Sequence, residues 1–186
     1  MALTEIGSKV LQDDSETLSR VKENKEITAR IRVIGIGNEF RNDDAVGLIV
    51  ARKLKRHLDS EVSVKELCGE GGEIMESWIG ADGVFLIDAV SSASPKGTIF
   101  RIDATQENIP SEFFHYSTHA FSVAESVELS RVFGILPKRC TLFGIVGADF
   151  GVGNSISPTV LSAADTVVNA ILRETDSMLA VSLAPR

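Results

Sequence analysis

From residue 31 onward, apolar runs alternate with segments of helical spacing. Arg32-Val33-Ile34-Gly35-Ile36 is a short apolar run closed by glycine, the pattern of a buried strand. After a polar turn, residues 43–58 read as a helix with Val46, Ile49, Val50 and Leu54 on one face. Residues 62–67 form a second strand, 69–72 a glycine-rich turn, and a short helix follows through Met75 and Trp78. Val84-Phe85-Leu86-Ile87-Asp88 reads as a third strand that ends in a carboxylate. Pro95-Lys96-Gly97 marks a turn, and residues 98–102 a fourth strand. Residues 122–133 read as a helix with Val123, Val127 and Val132 on one side, and 141–146 as another buried strand. The last helix carries the strongest pattern. Ser157 suits its N-cap and Pro158 its first position. Val160, Leu161, Ala164, Val167, Val168, Ile171 and Leu172 then recur at helical spacing, and the chain is expected to fray after Ser177.

Strands alternating with helices predict an α/β fold, a three-layer α/β/α sandwich around a twisted, largely parallel sheet in which mixed strands are allowed. The 186 residues suit one domain with surplus at the ends. We divide them into a polar N-terminal extension (1–29), a single domain (30–175) and a C-terminal tail (176–186). The formal charge of -7 argues against nucleic acid, which needs clustered Lys and Arg. The basic stretch Arg52-Lys53-Leu54-Lys55-Arg56-His57 reads as a solvated helix face. Cys68 and Cys140 lie far apart and in no metal spacing, which suits a reducing compartment, and Cys140 opens an apolar run and reads as core. No apolar stretch approaches the ~20 residues that span a bilayer. The N-terminus lacks the order of a signal peptide, so a cytoplasmic protein without a membrane partner is expected.

Ligands of open α/β sheets bind outside the carboxyl ends of the strands. Three features converge there: the loop G-I-G-N-E-F-R-N-D-D-A-V-G (35–47), Asp88, and Ser117-Thr118-His119 before a helix. A dinucleotide fingerprint from Gly35 would need glycine at position 40, where Phe40 stands. Asp43 and Asp44 would also repel a pyrophosphate at the helix start. Asp44, Asp88 and His119 could instead hold a divalent metal with open coordination positions, imidazole suiting nickel or zinc. Each has a structural alternative: Asp43 or Asp44 as a helix cap, Asp88 as a turn former, His119 as a packed histidine. His57 and His115 are weaker candidates.

The 35–47 string resembles the opening motif of the [NiFe] hydrogenase maturation endopeptidases, approximately G-x-G-N-x-x-x-x-D-[DE]-x-x-G. I-D-A-V at 87–90 resembles that family's strand-end Asp segment, and S-T-H-A-F-S-V-A-E its His motif. C-T-L-F-G-I-V-G and S-I-S-P-T-V also look like family segments, so the resemblance runs from about residue 31 to 174. It implies an endopeptidase, in the manner of an aspartyl protease, that activates hydrogenase by removing the C-terminal extension of the large-subunit precursor after nickel insertion. It further implies that Asp44, Asp88 and His119 are both the catalytic and the metal-facing residues. The nickel would be carried by the precursor, with no permanently bound cofactor, and a monomer is expected. Gly37, Asn38, Gly71 and Gly72 are candidate substrate-loop positions. Two features depart from the family: Glu70-Gly71-Gly72-Glu73 stands where an Asp-Gly-Gly-Thr-like turn is usual, and the N-terminal extension is long. Two alternatives are a non-catalytic metal- or precursor-binding chaperone on the same fold and a nucleotide-dependent Rossmann-like enzyme.

Overall fold

The computed structural model describes residues 30–59, 61–114 and 122–182. The extension 1–29 lies outside them. Five strands, β1 (Ile31–Ile36), β2 (Val62–Leu67), β3 (Gly83–Val90), β4 (Ile99–Asp103) and β5 (Arg139–Val146), form one sheet in the order β2-β1-β3-β5-β4. β1, β2, β3 and β5 run parallel, and β4 closes one edge antiparallel to β5. Helices α1 (Val46–Leu54) and α4 (Pro158–Ser182) cover one face. Helices α2 (Gly71–Trp78) and α3 (Val123–Val132) cover the other.

Both faces are apolar because the strand residues split by parity. In β3, Phe85, Ile87 and Ala89 join the α1/α4 core, whereas Val84, Leu86 and Val90 join the α2/α3 core. On α4, Val160, Ala164, Val167 and Ile171 are fully buried. Each Val or Ile of that stripe contributes roughly 1.5–3 kcal/mol by leaving water.

Several expectations shift. A 3-10 turn, Asn42–Ala45, precedes α1, so Asp43 and Asp44 stand in that turn, and α1 ends at Leu54 rather than running to 58. β3 continues through Ala89 and Val90, so Asp88 lies inside the strand and not at its end. Val132 is 79% exposed. It lies nine residues from Val123, half a turn out of phase, and Ser130 occupies the buried position instead. Leu161 is likewise exposed, one residue off the stripe that Val160 begins. The segment read as fraying after Ser177 is helical to Ser182, and Met178 and Leu179 pack on the α1/α4 core.

Candidate active site

Asp44 and Asp88 line one cleft at the carboxyl edge of the sheet, together with Gly37, Asn38, Arg41 and Phe150. Asp88 shares the parity of Leu86 and Val90 and therefore faces the α2/α3 layer. There Phe113, Phe114 and Ser122 form the opposite wall. The backbone N–H of Ser91 donates to the Phe113 carbonyl at 2.8 Å, tying that wall to the end of β3.

Glycine brings the two acids together. A Cβ on Gly47 would stand 2.2 Å from the Ile36 carbonyl oxygen and 2.4 Å from that of Ile87. Only glycine lets the start of α1 sit down on β1 and β3, immediately beside Asp88. Gly37, at φ 152°, meets the Asp44 carbonyl in the same way, with 1.9 Å to a Cβ built there. These glycines serve packing, and the turn before α1 carries acids. The glycine-rich loop thus lacks the form of a dinucleotide site.

Burial, reinforced by the negative charge of Asp44, raises the Asp88 carboxyl well above the usual carboxylate range. Among the described residues, the Ala89 N–H opposes this shift, donating to Oδ1 at 2.8 Å. Asp44 is half-buried.

Asp43 has the opposite surroundings. Its Oδ2 accepts from Ala148 N (2.7 Å), Asp149 N (3.0 Å) and Ser157 Oγ (2.8 Å), and its Oδ1 from Ser157 N (2.7 Å). Burial pushes this carboxyl up, but the hydrogen bonds from Ser157, Ala148 and Asp149 outweigh it and the net shift is downward. Asn42, at φ 49°, donates from Nδ2 to Asp149 Oδ2 (2.9 Å) and accepts at Oδ1 from Ser155 N (3.0 Å). Asn42 and Asp43 together pin the loop after β5, and with it Phe150, against the first loop. Sequence reasoning passed over Asn42 and this role of Asp43, and it missed the cleft residues Arg41, Cys68 and Phe150. The signal available was the paired acid itself, N-D-D, one residue more than a cap requires.

Of the substrate-loop candidates, Gly37 and Asn38 line the cleft. Gly71 and Gly72 do not. They form the first turn of α2, where Glu70 caps the helix by accepting from Gly72 N (3.0 Å) and Glu73 N (2.8 Å). His119 and His115 lie outside the described residues, as does all of 115–121, although Phe114 and Ser122 on either side both line the cleft. Among the described residues, no group of three or more His, Cys, Asp or Glu side chains is arranged to hold a metal ion. No helix among them is long and apolar enough to cross a membrane.

A largely parallel five-stranded sheet between helix layers is the fold of the hydrogenase-maturating endopeptidases. The endopeptidase HybD from Escherichia coli superimposes with a TM-score of 0.63 at 21% identity, covering 80% of this chain and 93% of that one. The [NiFe] hydrogenase maturation protease HycI from Thermococcus kodakarensis superimposes at 0.62 and 22% identity, covering 84% and 99%. In sequence, a hydrogenase 2 maturation protease of Escherichia coli (strain K12) is 26% identical over 147 residues, 77% of this chain and 88% of that protein. The model of the hydrogenase maturation protease family (HycI) matches residues 48–174. The chain belongs to the hydrogenase maturation protease family and is an endopeptidase of that family. The matched segment contains Asp88 and begins just after Asp44.

Proposed function

We propose that this endopeptidase removes the C-terminal extension of a [NiFe] hydrogenase large-subunit precursor after nickel insertion, recognising the nickel that the precursor carries through Asp44, Asp88 and His119. One observation carries the reading: two carboxylates share a cleft, and burial and mutual repulsion hold one of them, Asp88, against ionising. A divalent cation entering between them would relieve that repulsion and release the Asp88 proton. Two carboxylates leave the coordination of such an ion open, and His119 is the imidazole whose sequence neighbours Phe114 and Ser122 line the same cleft.

Nickel binding fixes the precursor's tail beside the acids, which lowers the entropic barrier to attack on the scissile bond. Water adds to the scissile carbonyl, a carboxylate of the pair accepts its proton, and the amine leaves protonated. The protein acts on the precursor in the cytoplasm, in keeping with unbridged Cys68 and Cys140.

The test is intact mass of nickel-loaded and nickel-free precursor incubated with the wild type, Asp44→Asn and His119→Ala. Only the wild type with loaded precursor is expected to give a shortened product. Trimming by either variant at the wild-type rate, or equal trimming of nickel-free precursor, overturns the reading. A precursor that is bound but never shortened would favour a chaperone.

A further inference from the structure

Two large apolar side chains stand in water beside the cleft: Phe40, 69% exposed, and Val152, 96% exposed. They are 112 positions apart in sequence, yet their loops are joined by backbone hydrogen bonds. Gly153 N donates to the Phe40 carbonyl at 2.9 Å, Asn42 N donates to the Gly153 carbonyl at 3.1 Å, and Arg41 pairs with Gly153 as a parallel bridge. Phe40 and Val152 therefore neighbour each other on one rim.

That rim is built. The Asn38 Oδ1 accepts from Phe40 N at 2.9 Å, and Arg41 N donates to the Asn38 carbonyl at 3.1 Å, closing a turn with Phe40 at its tip. Below the tip, the Arg41 guanidinium donates to the Phe150 carbonyl at 3.2 and 3.3 Å. Asn38, Arg41 and Phe150 also form the cleft wall, so the apolar rim is continuous with the floor that carries Asp44 and Asp88. An exposed aromatic held by fixed backbone is the form of an interface anchor: it buries large area without losing loop entropy on binding.

We propose that Phe40 and Val152 are the docking anchors for the folded precursor and grip an apolar patch of its surface next to the scissile tail. The proposal rests on the reading above, in which a hydrogenase precursor enters this cleft. Asn38, Arg41 and Phe150 belong both to the rim and to the cleft wall, so a folded protein whose tail lies between Asp44 and Asp88 is set against Phe40 and Val152, and the occupant is therefore the precursor. Specificity for one precursor would then lie partly in the rim, outside the acid pair.

The experiment measures precursor binding and cleavage by the full chain as wild type, Phe40→Ser/Val152→Ser and Phe40→Leu. Both side chains are exposed, so melting temperatures are expected to match. The double variant is expected to raise the Kd and KM for precursor about tenfold with kcat at saturation unchanged, and Phe40→Leu to stay near the wild type. An unchanged Kd and KM in the double variant overturns the proposal, as does a wild type that binds no precursor. Precursor held by the wild type, released by the double variant and never shortened would sustain the docking role while ending the proposed removal of this precursor's extension. A wild-type dimer that the double variant dissociates, with KM unchanged, would mean that a second copy is the occupant and also overturns the proposal.

Discussion

Asp43→Asn tests how the site is held together. The wild-type carboxylate is fully buried and receives four hydrogen bonds, three to Oδ2 and one to Oδ1. Asparagine keeps one oxygen and turns an NH2 toward at least one of these donors, so donor faces donor. Hydrogen bonds to a charged group contribute roughly 1.5–3 kcal/mol each, but they do not simply add here. The amides of Ala148 and Asp149 sit on exposed residues and can recover water, and the variant no longer desolvates a charge. A loss of about 3–5 kcal/mol remains. At about 2–4 °C per kcal/mol for a chain of this size, the melting temperature is expected to fall by roughly 10 °C. Because the folded-state pKa of Asp43 is depressed, its stabilisation is fully present above the ordinary value of 3.8 and is lost as pH falls through the folded value. Urea unfolding monitored by circular dichroism should therefore show a constant gap between wild type and variant from neutral pH down to mild acid, narrowing only below 3.8. A variant that melts within about 1 °C of the wild type at neutral pH would refute the staple. So would a gap that already closes in mild acid.

Asp88→Asn is expected to abolish cleavage while leaving the neutral-pH melting temperature equal or higher. The folded pKa of Asp88 is raised, so its carboxyl costs stability increasingly as pH climbs from 3.8 through the folded value. A lowered melting temperature at neutral pH would contradict that. Gly47→Ala drives a methyl into the Ile36 and Ile87 carbonyls and should cost about 3 kcal/mol or more in urea unfolding. A variant of wild-type stability would mean that α1 does not sit on β1 and β3 as described. Thiol labelling of the native chain near pH 8 should modify exposed Cys68 rapidly and block the cleft it lines. Cys140, with burial pushing its thiol up to about 12, should label only after denaturation, so equal labelling of both in the native state would be the contrary result.

The layers were legible because burial on both faces of a parallel sheet leaves continuous apolar runs, and 84–88 could hardly be anything else. Helix phase was less legible. Val132 carries a core-type side chain at a solvent position, and only the angle from Val123 reveals it. The end of β3 was misjudged because a carboxylate inside an apolar run looks like a stop. Here the strand goes on, and Asp88 is tolerated inside it because the cleft opens beside it. The loop contacts were not legible at all. Asp43 meets its partners across 105 to 114 residues of chain, and no local pattern encodes such a pairing.

Asp43 and Asp44 show how surroundings separate two like acids. They are the same residue at adjacent positions in one 3-10 turn. One turns to the loop after β5 and finds four donors, so its charge is satisfied and its carboxyl is held low. The other turns to the cleft, where its charge raises the carboxyl of Asp88. The donors around Asp43 make it a structural acid, and its ties to the loop after β5 hold the turn from which Asp44 lines the cleft. Hence Asp43→Asn, assayed well below its own melting point, should still weaken cleavage by loosening Asp44, whereas Asp44→Asn should leave the melt near that of the wild type and remove cleavage outright.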